Sequence, residues 1–221
     1  MNLKRLVLGF FKVNCYILSL ESVNIIVDPG AGFDIIKRSI EEGGIKPDFI
    51  LNTHGHYDHI GAVEDIISSY KIPFYIHEFE EPIITDPARN YSSFFGENEL
   101  SLKTYNLIKD RDYDFFMDIG IDIINVPGHT PGSIMIKTGN FLFTGDLLFK
   151  GAVGRTDLPG GNPVEIKRSL AKIKKMDEKL IIYPGHGEIT SLEYELKSNY
   201  YLSDHFLKEG SQKEKGDLFW I

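Results

Sequence analysis

Apolar residues run continuously or in two-residue alternation over Leu3–Leu8, Val13–Leu20 and Val23–Val27, which predicts three strands at the start of the chain. The rhythm then changes. Phe33, Ile36 and Ile40 fall on one helical face within Phe33–Glu42, and Gly43-Gly44 supplies a stop. Phe49–Leu51 reads as a further strand, Ile60–Tyr70 as a helix and Pro73–Ile76 as a short strand. Between residues 77 and 118 the pattern dissolves into acids and aromatics, including Asp86-Pro87 and Asn90–Gly96. An irregular insertion is expected there, a candidate lid or dimer surface. Strands resume at Ile119–Val126, Ser133–Lys137 and Phe141–Phe143, then a helix over Val164–Lys175, a strand at Leu180–Tyr183 and a last helix over Ser191–Leu207. This interleaving predicts an α/β domain over residues 1–207. Residues 208–221 form a polar tail whose end, Leu218-Phe219-Trp220-Ile221, is apolar enough to dock. No internal repeat is evident.

Directly after Phe49–Leu51 comes Thr53-His54-Gly55-His56-Tyr57-Asp58-His59. The end of a strand is where an α/β protein exposes its chemistry. A polar turn with unrelated surface histidines is the bland alternative, but the chain holds only 7 histidines in 221 residues, so such clustering by chance is improbable. His54 and His56 share a face by the two-residue period, whereas Asp58 and His59 fall past them at the start of a helix. Two adjacent metal sites fit that geometry better than one. Imidazole and carboxylate donors suit zinc, iron or manganese. Further donors should follow other strands beside small residues. His129 in Val126-Pro127-Gly128-His129, Asp146 in Phe143-Thr144-Gly145-Asp146 and His186 in Tyr183-Pro184-Gly185-His186 repeat that syntax.

Taken in order, these motifs resemble those of the metallo-β-lactamase fold hydrolases, over most of the chain from Val13-Asn14-Cys15-Tyr16 to Asn199. The resemblance implies a four-layer αββα sandwich with two divalent metal ions at one edge, zinc first, with iron or manganese as alternatives. It assigns His54, His56 and His129 to one ion, Asp58, His59 and His186 to the other, and Asp146 as the bridge. Asp28, in Val27-Asp28-Pro29-Gly30, matches the family's first motif and would brace the ligand loop; an Asx turn before Pro-Gly explains it equally well. Within the family, Asn90–Gly96, Gly154-Arg155-Thr156-Asp157, Gly160-Gly161-Asn162 and Lys197-Ser198-Asn199 are similar to the short single-domain bacterial glyoxalase II (hydroxyacylglutathione hydrolase) type. Larger glyoxalase II enzymes add a helical domain and place Lys and Tyr after the bridging Asp. The short stretch after His186, and Arg155 and Asp157 in place of that pair, imply weak recognition of glutathione.

Charge and cysteine content narrow the reading. A net charge of −8 without a basic stripe argues against nucleic acid. One cysteine excludes an internal disulfide and fits a reducing, cytoplasmic setting. Cys15 lies in an alternating strand and reads as a small buried hydrophobe. Lys4 and Arg5 ahead of apolar residues mimic a signal peptide, but Lys12 and Asn14 interrupt the run. No apolar segment is long enough to span a bilayer. The expected partner is a small-molecule substrate.

Two divalent cations roughly 3.5–4 Å apart lower the pKa of a shared water toward about 7. Hydroxide attack on a thioester then needs little acid assistance, because the leaving thiol has a pKa of about 8.5. Asp58 is the expected catalytic residue, orienting the nucleophile while ligating; Asp28 and Thr53 are expected to tune the imidazoles. Arg155 would either grip a substrate carboxylate or pair locally with Asp157, the second being favoured. The alternatives are a persulfide dioxygenase of the same fold, with one iron on His54, His129 and Asp146, and a lactone or other ester hydrolase. Filled ligand positions argue against a non-catalytic metal-binding module.

Overall fold

A computed structural model describes residues 2–96 and 98–208; the tail from 209 onward, including Leu218–Ile221, lies outside the described residues. The chain divides into two compact units, residues 1–121 and 122–221.

The first unit is built on a six-stranded sheet, β1 (Asn2–Leu8), β2 (Val13–Ser19), β3 (Asn24–Val27), β4 (Phe49–Leu51), β5 (Phe74–His77) and β6 (Asn106–Ile108), ordered as in the sequence. β1 to β3 pair antiparallel through short turns, while β3 to β6 pair parallel and so need crossovers. Helix α1 (Phe33–Glu42) and the pair α2 (Tyr57–Ile60) and α3 (Val63–Tyr70) supply the first two. Ile36 and Ile40 from α1 and Val63 and Ile66 from α3 pack with Ile26, Ile50, Phe74 and Ile76. On the opposite face Tyr16, Leu18, Ile25 and Leu51 are buried as well. Burial on both faces explains why these strands read as continuous apolar runs. Because β3 and β4 run parallel, the chain leaves both at the same edge, at Asp28 and Asn52.

Three expectations change here. The helix predicted over Ile60–Tyr70 is two helices, because Gly61 and Ala62 break it where the Pro29-Gly30 turn presses in. A Cβ on Gly61 would lie 2.1 Å from the Gly30 oxygen, and the Ala62 N–H donates to Pro29 O at 2.9 Å. The stretch 77–118 is not irregular throughout. It contributes β6 and three short helices, α4 (Glu81–Ile84), α5 (Ser92–Phe95) and α6 (Tyr113–Asp118). The strand expected from Ile119 starts only at Asp122, since α6 is followed by Gly120 at φ 83°.

The second unit carries β7 (Asp122–Asn125), β8 (Ile134–Thr138), β9 (Phe141–Gly145), a hairpin of β10 (Leu148–Phe149) and β11 (Ala152–Val153), helix α7 (Pro163–Ile173), β12 (Ile181–Pro184), β13 (Thr190–Ser191) and helices α8 (Leu192–Ser198) and α9 (Asp204–Lys208). Its main sheet is ordered β13-β12-β9-β8-β7. Only β9 and β12 pair parallel, and α7 makes the crossover between them. Asn162 caps α7, its Oδ1 accepting from the Val164 and Glu165 N–H groups at 2.9 and 3.1 Å, with Pro163 in the first turn. Ile166, Leu170 and Ile173 pack on Val126, Met135, Leu142 and Ile182. Parallel pairing sets Pro184 opposite Gly145, so the segments carrying Asp146 and His186 leave the sheet side by side.

The single helix expected over Ser191–Leu207 is interrupted at Asn199. Its side chain is used elsewhere: Oδ1 caps Tyr201 N at 3.0 Å, and Nδ2 donates to Glu195 Oε2 at 2.9 Å. Buried Glu195 accepts from Gly151 N at 2.8 Å and Thr190 Oγ1 at 2.7 Å, tying α8 to the hairpin that follows Asp146.

Candidate metal centre

In the first unit the imidazoles of the heptad converge. Ring centroids of His54 and His56 lie 4.9 Å apart, those of His54 and His59 4.0 Å apart, and all three rings are buried. Asp28 holds the loop from the end of β3. Its Oδ1 accepts from Thr53 N at 2.8 Å and its Oδ2 from Thr53 Oγ1 at 2.7 Å, and Oδ2 lies 3.0 Å from His59 Nδ1. Asp28 adopts a left-handed backbone, φ 50°, which Asp tolerates better than most residues. Thr53 Oγ1 also lies 3.2 Å from His54 Nδ1. With the Nδ1 edge of His59 turned to a carboxylate, its Nε2 faces the other way, 3.9 Å from Asp58 Oδ2.

The second unit gathers its three donors from three loops. His129 Nε2 and His186 Nε2 each lie 3.6 Å from Asp146 Oδ2. His129 Nδ1 lies 2.8 Å from the carbonyl oxygen of Arg155. A carbonyl only accepts, so Nδ1 carries the proton and Nε2 is left with its lone pair. The close approach of the loops depends on Gly154, where a Cβ would meet the Asp146 oxygen at 1.7 Å. The Arg155 side chain is engaged with Asp157 through Nε and Nη2, at 2.8 and 2.7 Å. That hydrogen bond, opposed by partial burial and aided by the guanidinium charge, holds the Asp157 carboxyl below its usual range.

These donor sets fit metal ions. Ligand atoms about 2.1 Å from a tetrahedral ion stand roughly 3.4 Å from one another. The imidazole–carboxylate separations of 3.6, 3.6 and 3.9 Å are too long for hydrogen bonds and near that edge length. The carbonyl beside His129 Nδ1 fixes that ring as metal-bound histidines require, and the Asp28 carboxylate lies beside the Nδ1 edge of His59. Buried imidazoles beside carboxylates are the donor chemistry that a divalent cation takes.

Several contributors carry no signal in the sequence. Glu80 is fully buried and accepts from Gly55 N at 2.7 Å, between two of the histidines. Asn52 Nδ2 donates to His59 O at 2.7 Å. Asn90 O accepts from Tyr57 N at 2.9 Å, and the Tyr57 hydroxyl donates to Phe95 O at 3.1 Å, so the former insertion forms the flank of the ligand loop. Glu80 sits in an acidic run, Glu78-Phe79-Glu80-Glu81, from which no spacing distinguishes it. His77 is buried and caps the turn after β5, accepting from Phe79 N, and desolvation lowers its pKa. His205 is exposed on α9. Cys15 is wholly buried; desolvation, with a smaller push from Asp28, raises its thiol pKa far out of the reactive range. Among the described residues no helix is long and apolar enough to cross a membrane.

The comparisons with known proteins agree with this geometry. Residues 8–186 match the family described as the metallo-beta-lactamase superfamily. The chain is 32% identical over 209 residues to the probable metallo-hydrolase YqgX of Bacillus subtilis, covering 92% of this chain and 98% of that one. It is 28% identical to the hydroxyacylglutathione hydrolase GloC of Haemophilus influenzae, with 92% and 99% covered. Among solved structures, BLEG-1, a B3 metallo-beta-lactamase, superposes with a TM-score of 0.84 at 32% identity, covering 91% of this chain and 100% of that one. TTHA1623 in a di-iron-bound form superposes with a TM-score of 0.78 at 29% identity, covering 90% and 100%. The strand-end donors, the mixed α/β units and these matches lead to one conclusion: the chain belongs to the metallo-beta-lactamase superfamily and has its fold.

Proposed function

We propose that the two donor sets serve one dinuclear centre and that the protein hydrolyses thioesters. By the family resemblance, His54, His56 and His129 would hold one ion and Asp58, His59 and His186 the other, with Asp146 shared between them. The observation that carries this reading is the arrangement at Asp146. Its Oδ2 stands at the same distance, 3.6 Å, from the Nε2 atoms of two histidines of different loops. When bound, two divalent ions lower the pKa of a shared water and polarise the carbonyl.

The chain's own residues do the rest. Asp58, with part of its carboxylate solvent-facing, holds the proton released as the water oxygen bonds to the carbonyl carbon. The C–S bond breaks and that proton passes to the departing sulfur, giving a carboxylic acid and a thiol. A thiolate needs little help to leave, which suits a site with this one carboxylate in the proton-carrying role. Buried Asp28 and Glu80 keep the imidazoles in place throughout. The likeness to GloC supports a thioester substrate, and the likeness to the di-iron form of TTHA1623 supports iron beside zinc as the ion.

Anaerobic metal quantification followed by a panel of thioesters, esters and lactones tests the proposal. Two metals per chain and preferential thioester cleavage are expected. One iron per chain with thiol-dependent oxygen uptake and no hydrolysis would replace it with the dioxygenase.

A further inference from the structure

Beside the ligand loop the first unit exposes an unusual amount of aromatic surface. Phe10 is 90% exposed at the tip of the β1–β2 turn, and Phe94 and Phe95 are 67% and 60% exposed on α5. They are one chain of rings rather than scattered residues. Phe10 meets Phe11 edge-on at 5.2 Å, Phe11 meets Tyr57 at 5.8 Å and Phe95 at 5.6 Å, and Phe95 stacks on Tyr91 at 6.3 Å. Tyr91 in turn meets the ring of His56 at 5.8 Å. The series therefore begins on a metal-ligand histidine, includes the residue next to it, and ends in solvent.

Its construction is deliberate in physical terms. Tyr91 takes a left-handed backbone, φ 71°, which a bulky side chain rarely adopts without being held. Buried Asn90 holds it: Oδ1 accepts from Ser92 N at 2.9 Å and Nδ2 donates to Leu100 O at 2.9 Å. Tyr57 gives its hydroxyl to Phe95 O and so presents its ring. Contiguous exposed apolar surface of this kind marks an interaction site for a partner, a membrane or a ligand, and its continuity with His56 and Tyr57 favours a ligand of the reacting centre.

We propose that this aromatic wall selects substrates carrying an apolar group, aryl or branched alkyl, next to the scissile bond, in preference to small or charged ones. The inference rests on the hydrolase reading above and names the substrate class for that site. The apolar group belongs either to the acyl half or to the thiol half of the thioester; both present the same surface to the rings.

Two measurements separate the possibilities. In the first, kcat/KM is compared for S-ethyl thioacetate, the S-ethyl thioester of phenylacetic acid and the acetyl thioester of 2-phenylethanethiol. At least a tenfold gain over S-ethyl thioacetate is expected in one phenyl arm, which assigns the half. That gain should fall toward one in a Phe10→Ala/Phe11→Ala/Phe95→Ala variant and persist in Phe115→Ala, an exposed ring on α6 that meets Phe116. In the second, phenylacetate, acetate, 2-phenylethanol and ethanol are titrated calorimetrically into the metal-loaded protein. The phenyl member of one pair should bind at least tenfold more tightly than its small partner and lose that advantage in the triple variant. Turnover with no phenyl preference in either arm, or a preference that survives the triple variant, overturns the wall. Absence of all hydrolysis with phenyl-selective binding intact overturns the thioesterase reading and leaves the wall standing.

Discussion

The two donor sets solve the same problem by opposite means. In the first unit four donors lie within one short segment, the loop after β4 and the start of α2, and buried side chains from elsewhere fix its shape: Asp28 just after β3, Glu80 from the turn after β5, Asn52 just after β4. In the second, three donors come from loops as far apart as residues 129 and 186. There the backbone does the fixing, through the parallel register of β9 and β12, the Arg155 carbonyl and the glycine contact at Gly154. A contiguous motif needs remote hydrogen-bonding groups; dispersed donors need strands that deliver them in register. Removed charge should tell chiefly in the first arrangement, whereas added volume should tell in both, since a Cβ on Gly30 would meet the Asp58 oxygen at 1.4 Å and one on Gly154 the Asp146 oxygen at 1.7 Å.

The largest effect is expected at the residue common to both histidines of the second set. Asp146→Asn should cut turnover by several orders of magnitude and lower metal content, as should His59→Ala in the first set, with far-ultraviolet circular dichroism unchanged. Full metal loading and turnover in either variant would remove that residue from the centre. Next comes volume. Gly154→Ala puts a methyl 1.7 Å from a backbone oxygen, whereas Gly55→Ala meets the tip of Ile84 at 2.7 Å and a Glu80 oxygen at 3.1 Å. Overpacking against backbone should cost about 1–3 kcal/mol in denaturant unfolding, and Gly55→Ala less. The reverse order would undo the contrast between backbone and side-chain contacts.

Removed charge follows. Asp28→Asn keeps the shape and loses the carboxylate facing Thr53 and His59, so metal affinity should fall roughly 10–100-fold, read by competition with a chelator. The smallest effect is at Arg155 and Asp157. This half-exposed pair is worth roughly 0.2–1 kcal/mol. Because Arg155 depresses the Asp157 pKa, the contribution is present above the ordinary carboxylate value and disappears as pH falls through the lowered one. Arg155→Ala should therefore lower Tm slightly at pH 7 and not at all in strong acid. A marked rise in KM with unchanged Tm would instead make Arg155 a substrate contact.

The same contrast explains what could be read in advance. His54, His56, Asp58 and His59 announce themselves by clustering, and His129, Asp146 and His186 by their common position after an apolar run and a glycine. Strands flanking them were legible for the same reason, since burial on both faces leaves unbroken apolar runs. Glu80, Asn52 and Asn90 were not legible, because what makes each important is a partner distant in sequence that no local pattern encodes. Asn199 is the clearest case. Its neighbours have helical spacing, and only the buried contacts to Glu195 and the β10–β11 hairpin make it a break.

The bracing of the heptad by Asp28 bears on how metal enters and leaves. Where a chain must order itself around an ion, as in a zinc finger, removing the ion unfolds the protein. Here the loop's bends are held by hydrogen bonds to Asp28, Glu80 and Asn52, groups of the chain itself, so much of the conformational entropy of the ligands is lost on folding. Stripping the metals with a chelator should then leave a cooperative thermal transition shifted by the binding linkage alone, and reloading should proceed without a refolding phase.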